Sequence, residues 1–309
     1  MLSAIVGGGI VGIPFAMIHT GIPLGLFLNV GVATMGTYTG MLYLRCKDLS
    51  PTYVESLYEL GFVCMGKFAI YVIAGAIFIS GIGCIMIYLI VFGDVSASLA
   101  KQALTSDEES IMTTRAIYVL AISILMTPLC LKKMLSEMKI VSILLFVSIG
   151  IFIIVFIIQL ASGTNENHDE TYGQYYKVDF NMALVTGLNI IVLAYSYQIN
   201  LFPTYNSLGA IKSNETGLNA VMIGTGLSFL IYSTLGVLAI YIFGSSLDPS
   251  VLTNVDEETN VYSIVIRVTF LVVLGCHIPY MFFPTKESFL IIVDEAQKGS
   301  MAKELEYKI

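Results

Sequence analysis

Charge is what this chain has least of. Lys, Arg, Asp and Glu make up 12% of its 309 residues, about half the share found in a soluble domain. That leaves too few polar residues to coat soluble domains of this length, which excludes an ordinary cytosolic enzyme. Basic residues are scarcer than acidic ones, 15 against 22, for a net charge of −7; this argues against a nucleic-acid partner. Cysteine is sparse too. None of Cys46, Cys64, Cys84, Cys130 and Cys276 falls in a loop that the orientation below places outside. No external disulfide framework is implied, and the five are read as packing residues. No basic leader precedes the first apolar run, and neither a cleavable signal peptide nor a lipidation motif is read. His-Glu-x-x-His, the zinc-protease signature, is missing. Asp94 follows Gly93 but has no second Asp in another span to complete a protease dyad. Neither an enzyme nor a resident metal or cofactor is indicated.

What is abundant is apolar side chain, 56% of the chain. It is gathered in long uninterrupted runs, which favours membrane helices over a barrel. With about 20 residues needed per crossing, eight spans are expected at 2–18, 24–44, 68–99, 116–131, 140–160, 180–202, 218–243 and 261–283. The first is short, as if its start were missing. The third is long enough to tilt or project. The segment from Pro284 onward, with its apolar stretch 288–293 and charged tail, is too short for another crossing.

Orientation follows from the sorting of Lys and Arg. With the N-terminus inside, eleven fall on inner segments and three (Lys101, Arg115 and Lys177) on outer ones, while Arg267 lies within a span. The acidic runs Asp107-Glu108-Glu109 and Asp256-Glu257-Glu258 then face outward as solvated loop faces. The sequon Asn214-Glu215-Thr216 faces inward and is a chance match.

Two spans carry punctuation that a plain helix would not. The first contains Gly7-Gly8-Gly9-Ile10-Val11-Gly12-Ile13-Pro14. Glycine and proline are costly inside a helix. Backbone freed by a break in lipid must be satisfied by protein, water or ligand. Stripped of side chains, the main-chain N–H groups of such a break suit a carboxylate. Close helix packing is the other reading, since Gly8 and Gly12 have small-xxx-small spacing. The sixth span ends in Tyr195-Ser196-Tyr197-Gln198-Ile199-Asn200-Leu201-Phe202-Pro203. Successive polar residues point about 100° apart and cannot all face one neighbour. Either the backbone opens here, or Asn200 already sits at the interface and Pro203 ends the helix. Spans one and six lie an odd number of crossings apart and so run in opposite directions. Paired broken helices in oppositely oriented halves mark an inverted-repeat secondary transporter.

At these residues the sequence resembles the amino acid/auxin permease family, which includes neutral amino acid transporters of systems A and N. The string Ile5-Val6-Gly7-Gly8-Gly9-Ile10-Val11-Gly12-Ile13-Pro14-Phe15-Ala16, followed by Thr20-Gly21-Ile22-Pro23-Leu24-Gly25, is similar to that family's opening signature. Asn200-Leu201-Phe202-Pro203-Thr204-Tyr205-Asn206 resembles its sixth-helix ending, and Ile278-Pro279-Tyr280-Met281-Phe282-Phe283-Pro284 the end of its eighth helix. The resemblance implies an all-α, LeuT-like inverted-repeat fold of about eleven helices with helices one and six broken. About eight of those helices would be present here. Residues 1–160 would form the first five-helix repeat, 180–284 an incomplete second repeat, and 285–309 a cytosolic tail. The chain is thus expected to be shortened at both ends.

The resemblance further implies alternating-access symport of a neutral amino acid coupled to Na+ or H+. Gly7, Gly8, Gly9 and Gly12 would hold the substrate carboxylate; opened carbonyls around Tyr195, Ser196, Tyr197 and Gln198 would receive the amine. Sodium-coupled relatives use an Asn near the start of helix one and a Thr in helix eight; the matching positions look like Ser3 and Gly275 or its neighbours. His277, in the same stretch, is a candidate proton carrier or a neutral His bonded to backbone beside Pro279. Asp94 and Arg267 either pair as an outer gate or reach the interface separately. The partners implied are an amino acid and the lipid bilayer; oligomeric state is left open. The expected location is the plasma membrane or a vacuolar or lysosomal membrane, with both termini cytosolic. A non-transporting amino acid sensor, or an inactive transporter fragment, is the alternative.

Overall fold

The computed structural model describes residues 1–51, 54–104, 114–131, 139–162, 176, 178, 181–209, 213–244, 247–248, 250–257 and 261–308. The run Asp107-Glu108-Glu109, Glu258, Lys132, Lys133, Lys177 and Lys212 lie outside them. Every regular element among the described residues is helical. In chain order these are α1 (Leu2–Ile5), a 3₁₀ turn (Gly8–Val11), α2 (Ile13–Thr20), α3 (Ile22–Leu49), α4 (Leu57–Met65), α5 (Lys67–Leu104), α6 (Arg115–Cys130) and α7 (Lys139–Ala161). Then come α8 (Met182–Ala194), a 3₁₀ turn (Gln198–Asn200), α9 (Leu201–Asn206), α10 (Asn214–Phe243), α11 (Val251–Glu257), α12 (Val261–Lys298) and α13 (Ser300–Lys308).

Short polar side chains set the helix starts by capping free N–H groups. The Asn181 carboxamide accepts from Ala183 N at 2.9 Å and Leu184 N at 3.3 Å, opening α8. Ser213 Oγ accepts from Thr216 N at 3.1 Å, so the sequon is simply the capped first turn of α10. Ser56 caps α4, with Glu59 N donating to Ser56 Oγ at 3.2 Å, and the Glu59 carboxylate reaches back to accept from Glu55 N, one residue before the cap, at 2.6 Å.

Among the described residues, five helices are long and apolar enough to cross a membrane: Lys67–Leu104, Ile140–Ala161, Met182–Asn206, Asn214–Phe243 and Val261–Lys298. The expected first and fourth spans are shorter apolar helices, Gly9–Thr20 and Arg115–Cys130. The expected second span is α3, 28 residues long but diluted by glycine and threonine. Its hydroxyls turn back on their own helix: Thr34 Oγ1 donates to the Val30 carbonyl and Thr37 Oγ1 to the Ala33 carbonyl, both at 2.8 Å. Such self-bonding lowers the cost of a hydroxyl away from water.

The eighth span differs most from its sequence reading. Rather than ending at Phe283, the helix runs unbroken through Pro279 and Pro284 to Lys298. Its 38 residues at about 1.5 Å each make roughly 57 Å, well beyond a hydrocarbon core of about 30 Å. At its far end Gly299 adopts φ 60°, a left-handed turn that glycine takes without strain, and α13 folds back. The buried Glu295 carboxylate accepts from Met301 N at 3.1 Å and Ala302 N at 3.2 Å, capping α13, and pairs with Lys67 at 3.4 Å. Ala302 and Leu305 pack on Phe62 and Ile70.

The core lies along α12, which packs against α5 and α7. A second buried seam joins α2, α8 and α10, with Ile13, Met17, Ile191, Tyr232, Leu235 and Ala239 inside it. Outward faces carry large exposed apolar side chains, among them Phe27, Met35, Ile143, Phe146, Ile154, Ile223 and Leu230. Such a surface suits lipid contact and would be a liability in water. All five thiols are free; Cys276 is buried, but Cys46 and Cys64 are exposed, so a packing role fits only part of the set.

Candidate functional site

Within the described residues of the expected first and sixth spans helical geometry is interrupted, and these two interruptions meet. Past Ile5, Val6 is extended (φ −81°, ψ 101°) and Gly7 takes φ −133°, ψ −145° before the turn at Gly8 begins. Past Ala194, Tyr195 (φ −103°, ψ 13°) leaves α8, and Ser196 and Tyr197 precede the turn at Gln198. One hydroxyl serves both places. Tyr232 Oη of α10 faces the Ile5 carbonyl at 3.0 Å and the Ala194 carbonyl at 3.1 Å, its single proton shared between the last residues of the two interrupted helices. Its ring meets Tyr195 edge-on at 5.3 Å. Tyr195 Oη donates to Asn29 Oδ1 at 2.6 Å, and Asn29 Nδ2 donates to Ser233 Oγ at 2.9 Å, tying the second interruption to α3 and α10.

The glycines divide the work. A Cβ on Gly7 would sit 2.5 Å from His277 Nε2 and 3.0 Å from Tyr88 Oη. A Cβ on Gly9 would lie 2.9 Å from Ala194 Cα, and one on Gly12 2.8 Å from Ile190 Cγ2. Across the same seam, a Cβ on Gly187 would lie 3.0 Å from Ala16 Cα. Gly9 and Gly187 therefore let two backbones touch, Gly12 makes room for the Ile190 side chain, and Gly7 leaves room for an imidazole. Gly8 opens the first turn.

Between the interruptions lies a cavity of about 460 Å³, within the range of small-molecule sites. Gly7, Gly9, Gly12 and Ser196 line it, together with His277 and, from one face of α5, Ser80, Cys84 and Tyr88. Much of the remaining wall is apolar: Val11, Ile87, Val91, Ile190, Leu193 and Met281. No Asp, Glu, Lys or Arg lines it among the described residues. Ile199 and Pro284 also border a second cavity of about 190 Å³, whose wall includes Glu55, Tyr58, Phe202, Phe283 and Glu287.

Of the four candidates in the sixth span, only Ser196 reaches the central cavity wall. Tyr195 is turned to Asn29, Tyr197 Oη donates to the Gly36 carbonyl at 2.8 Å, and Gln198 Nε2 donates to Thr39 Oγ1 at 3.3 Å. All three side chains thus point to α3. The Tyr195 carbonyl accepts from Tyr197 N and the Tyr197 carbonyl from Asn200 N, each at 2.9 Å.

Ser3 and Gly275 are not brought together. Ser3 Oγ donates to Tyr280 Oη at 3.4 Å, and Tyr280 also bonds Ser142. A Cβ on Gly275 would meet Met126 and Ile122 of α6 instead. His277 is 1% exposed, and neither ring nitrogen has a hydrogen-bond partner among the described residues. The backbone bond expected beside Pro279 is therefore not found there. Asp94 pairs with Arg115 at 3.1 Å, both half-exposed, rather than with Arg267. Arg267 is buried and donates to Ser98 Oγ at 3.1 Å and to Gln102. Tyr232, Tyr88 and Asn29 escaped sequence reasoning. Their one available signal was a polar group within an apolar run, with the spacing of Ser80, Cys84 and Tyr88 placing those three on a single helix face.

A family model described as transmembrane amino acid transporter protein matches residues 1–304. The chain is 23% identical over 306 residues to amino acid transporter AVT6E of Arabidopsis thaliana, covering 93% of this chain and 61% of that protein. It is 27% identical over 269 residues to vacuolar amino acid transporter 7 of Saccharomyces cerevisiae, covering 84% of this chain and 51% of the relative. Sodium-coupled neutral amino acid symporter 2 of Danio rerio is 23% identical over 312 residues, covering 93% and 61% respectively. The chain thus spans between half and two thirds of the length of these relatives.

Proposed function

The chain belongs to the transmembrane amino acid transporter family, and from that premise we propose that it takes part in secondary-active transport of neutral amino acids across a membrane. Na+ or H+ drives the uptake, and alternating access turns on the two interrupted segments. These act as the paired broken helices of a LeuT-like inverted repeat, and α3, the first segment and α6 cross the bilayer with the five longer helices. Both termini face the cytosol of a plasma, vacuolar or lysosomal membrane, as the sorting of Lys and Arg favours.

The main chain at Gly7, Gly8 and Gly9 receives the substrate carboxylate, and carbonyls at Tyr195–Gln198 with the Ser196 hydroxyl receive the amine. The apolar wall of Val11, Ile87, Val91, Ile190 and Leu193 takes the side chain. The second cavity, beyond Ile199 and Pro284, is the route to the cytosol.

One observation carries this reading: the cavity between the two interruptions is lined by no charged side chain among the described residues. A charged substrate side chain would lie there without a counter-ion, which costs several kcal/mol. The test is uptake of radiolabelled amino acids by vesicles containing the purified chain. Saturable uptake of alanine or leucine, with lysine and glutamate excluded, is expected. Binding without flux would replace transport with a sensor role. Charged amino acids carried as well as neutral ones would overturn the specificity.

A further inference from the structure

We propose that the imidazole of His277 donates a hydrogen bond to the carboxylate of the bound amino acid. The proposal rests on the amino acid-binding reading above and assigns a side chain to a task otherwise given to backbone alone.

A buried polar atom without a partner carries a desolvation cost, and native structures leave few. His277 carries two such atoms, Nδ1 and Nε2, among the described residues. The ring belongs to the cavity wall. A partner that arrives with the ligand accounts for both facts, whereas a packing residue at this place would be apolar.

Geometry says which part of the ligand arrives. The Nε2 edge lies on Gly7, whose absent Cβ would sit 2.5 Å from that nitrogen. The imidazole therefore abuts the main chain of the first interruption, on the same stretch of cavity wall. The ring is held edge-on against Tyr88 at 5.7 Å between centroids and inclined to Tyr280 at 6.1 Å. Aromatic neighbours on two sides fix its orientation before a ligand enters, which lowers the entropy cost of binding.

Chemistry then selects the acceptor. The other described polar side chains in the wall are the hydroxyls of Ser80, Ser196, Ser250 and Tyr88 and the thiol of Cys84. His277 is the one nitrogen donor among them. A neutral imidazole always carries one N–H, so donation does not depend on its protonation state. A carboxylate acceptor makes the bond charge-assisted and short.

The test compares leucine with 3-methylbutylamine, the same molecule without its carboxylate. Binding of each to the purified full chain in lipid nanodiscs is measured for the parent, His277→Leu and His277→Gln. His277→Leu is expected to weaken leucine about tenfold to a hundredfold and to leave the amine unchanged. His277→Gln, which keeps an N–H donor, is expected to recover most of the leucine affinity and also shows that the site still folds. Equal losses for leucine and the amine, or no loss for leucine, would overturn the role of His277 while leaving the transporter reading intact. A parent chain that binds no neutral amino acid would overturn both.

Discussion

Replacing Tyr232 with Phe deletes a single oxygen atom from the point where the two interrupted segments meet. Tyr232 is fully buried, and its hydroxyl spans the Ile5 and Ala194 carbonyls at 3.0 and 3.1 Å. Phe keeps the ring, and so the edge-on contact with Tyr195 at 5.3 Å. What is lost is the donor shared by two carbonyls that helix geometry leaves unpaired. A buried acceptor stripped of its partner costs about 1–3 kcal/mol. For a chain of 309 residues that corresponds to a melting midpoint lower by roughly 1.5–5 °C. Thermal unfolding of the purified parent and Tyr232→Phe chains in one detergent, followed by loss of the monodisperse species, measures the shift. A neutral amino acid should also bind about tenfold more weakly, because the hydroxyl fixes one interruption relative to the other. A variant that melts within about one degree of the parent and binds as tightly would refute the idea that Tyr232 joins the interruptions, since the predicted cost is larger than that.

Other substitutions probe the remaining contacts. Gly9→Ala places a Cβ 2.9 Å from the Ala194 backbone, which no rotamer change relieves; a loss above about 2 kcal/mol and failure of amino acid binding are expected in the same assays. Asn29→Ala removes the acceptor of Tyr195 Oη and the donor to Ser233, and should cost about 1–3 kcal/mol by thermal unfolding. Glu295→Ala uncaps α13 and frees Lys67; limited proteolysis should cut within Ser300–Lys308 several times faster than in the parent. Asp94→Asn breaks only a half-exposed ion pair, so its effect should stay below about 1 kcal/mol.

Much of the site was legible where a residue's chemistry is its own signal. The string Gly7-Gly8-Gly9, with Gly12 and Pro14, marks a place where a helix is costly. Length and apolarity located four of the five long helices to within about five residues at each end. Rotational phase was not legible. In a helix apolar all round, hydrophobic periodicity does not say which side faces a neighbour. That is why Tyr195, Tyr197 and Gln198, neighbours in sequence to Ser196, turn to α3 while Ser196 lines the cavity. It is also why Asp94 found Arg115 rather than Arg267. The length of α12 was hidden for a different reason: Pro279 and Pro284 read as terminators, yet packing on α5 carries the helix past them. The glycines also combined two readings that stood as alternatives, since Gly9 and Gly12 meet α8 while Gly7 makes room for His277.

The most direct measurement is competition for the central cavity between substrates of equal size and different charge. Vesicles containing the chain are loaded with unlabelled leucine, and counterflow of labelled leucine is followed against a panel of competitors. Alanine, leucine and methionine should compete, lysine and glutamate should not, and 3-methylbutylamine should compete poorly. Counterflow abolished as readily by lysine or glutamate as by leucine would contradict a cavity built without charged side chains between the two interruptions.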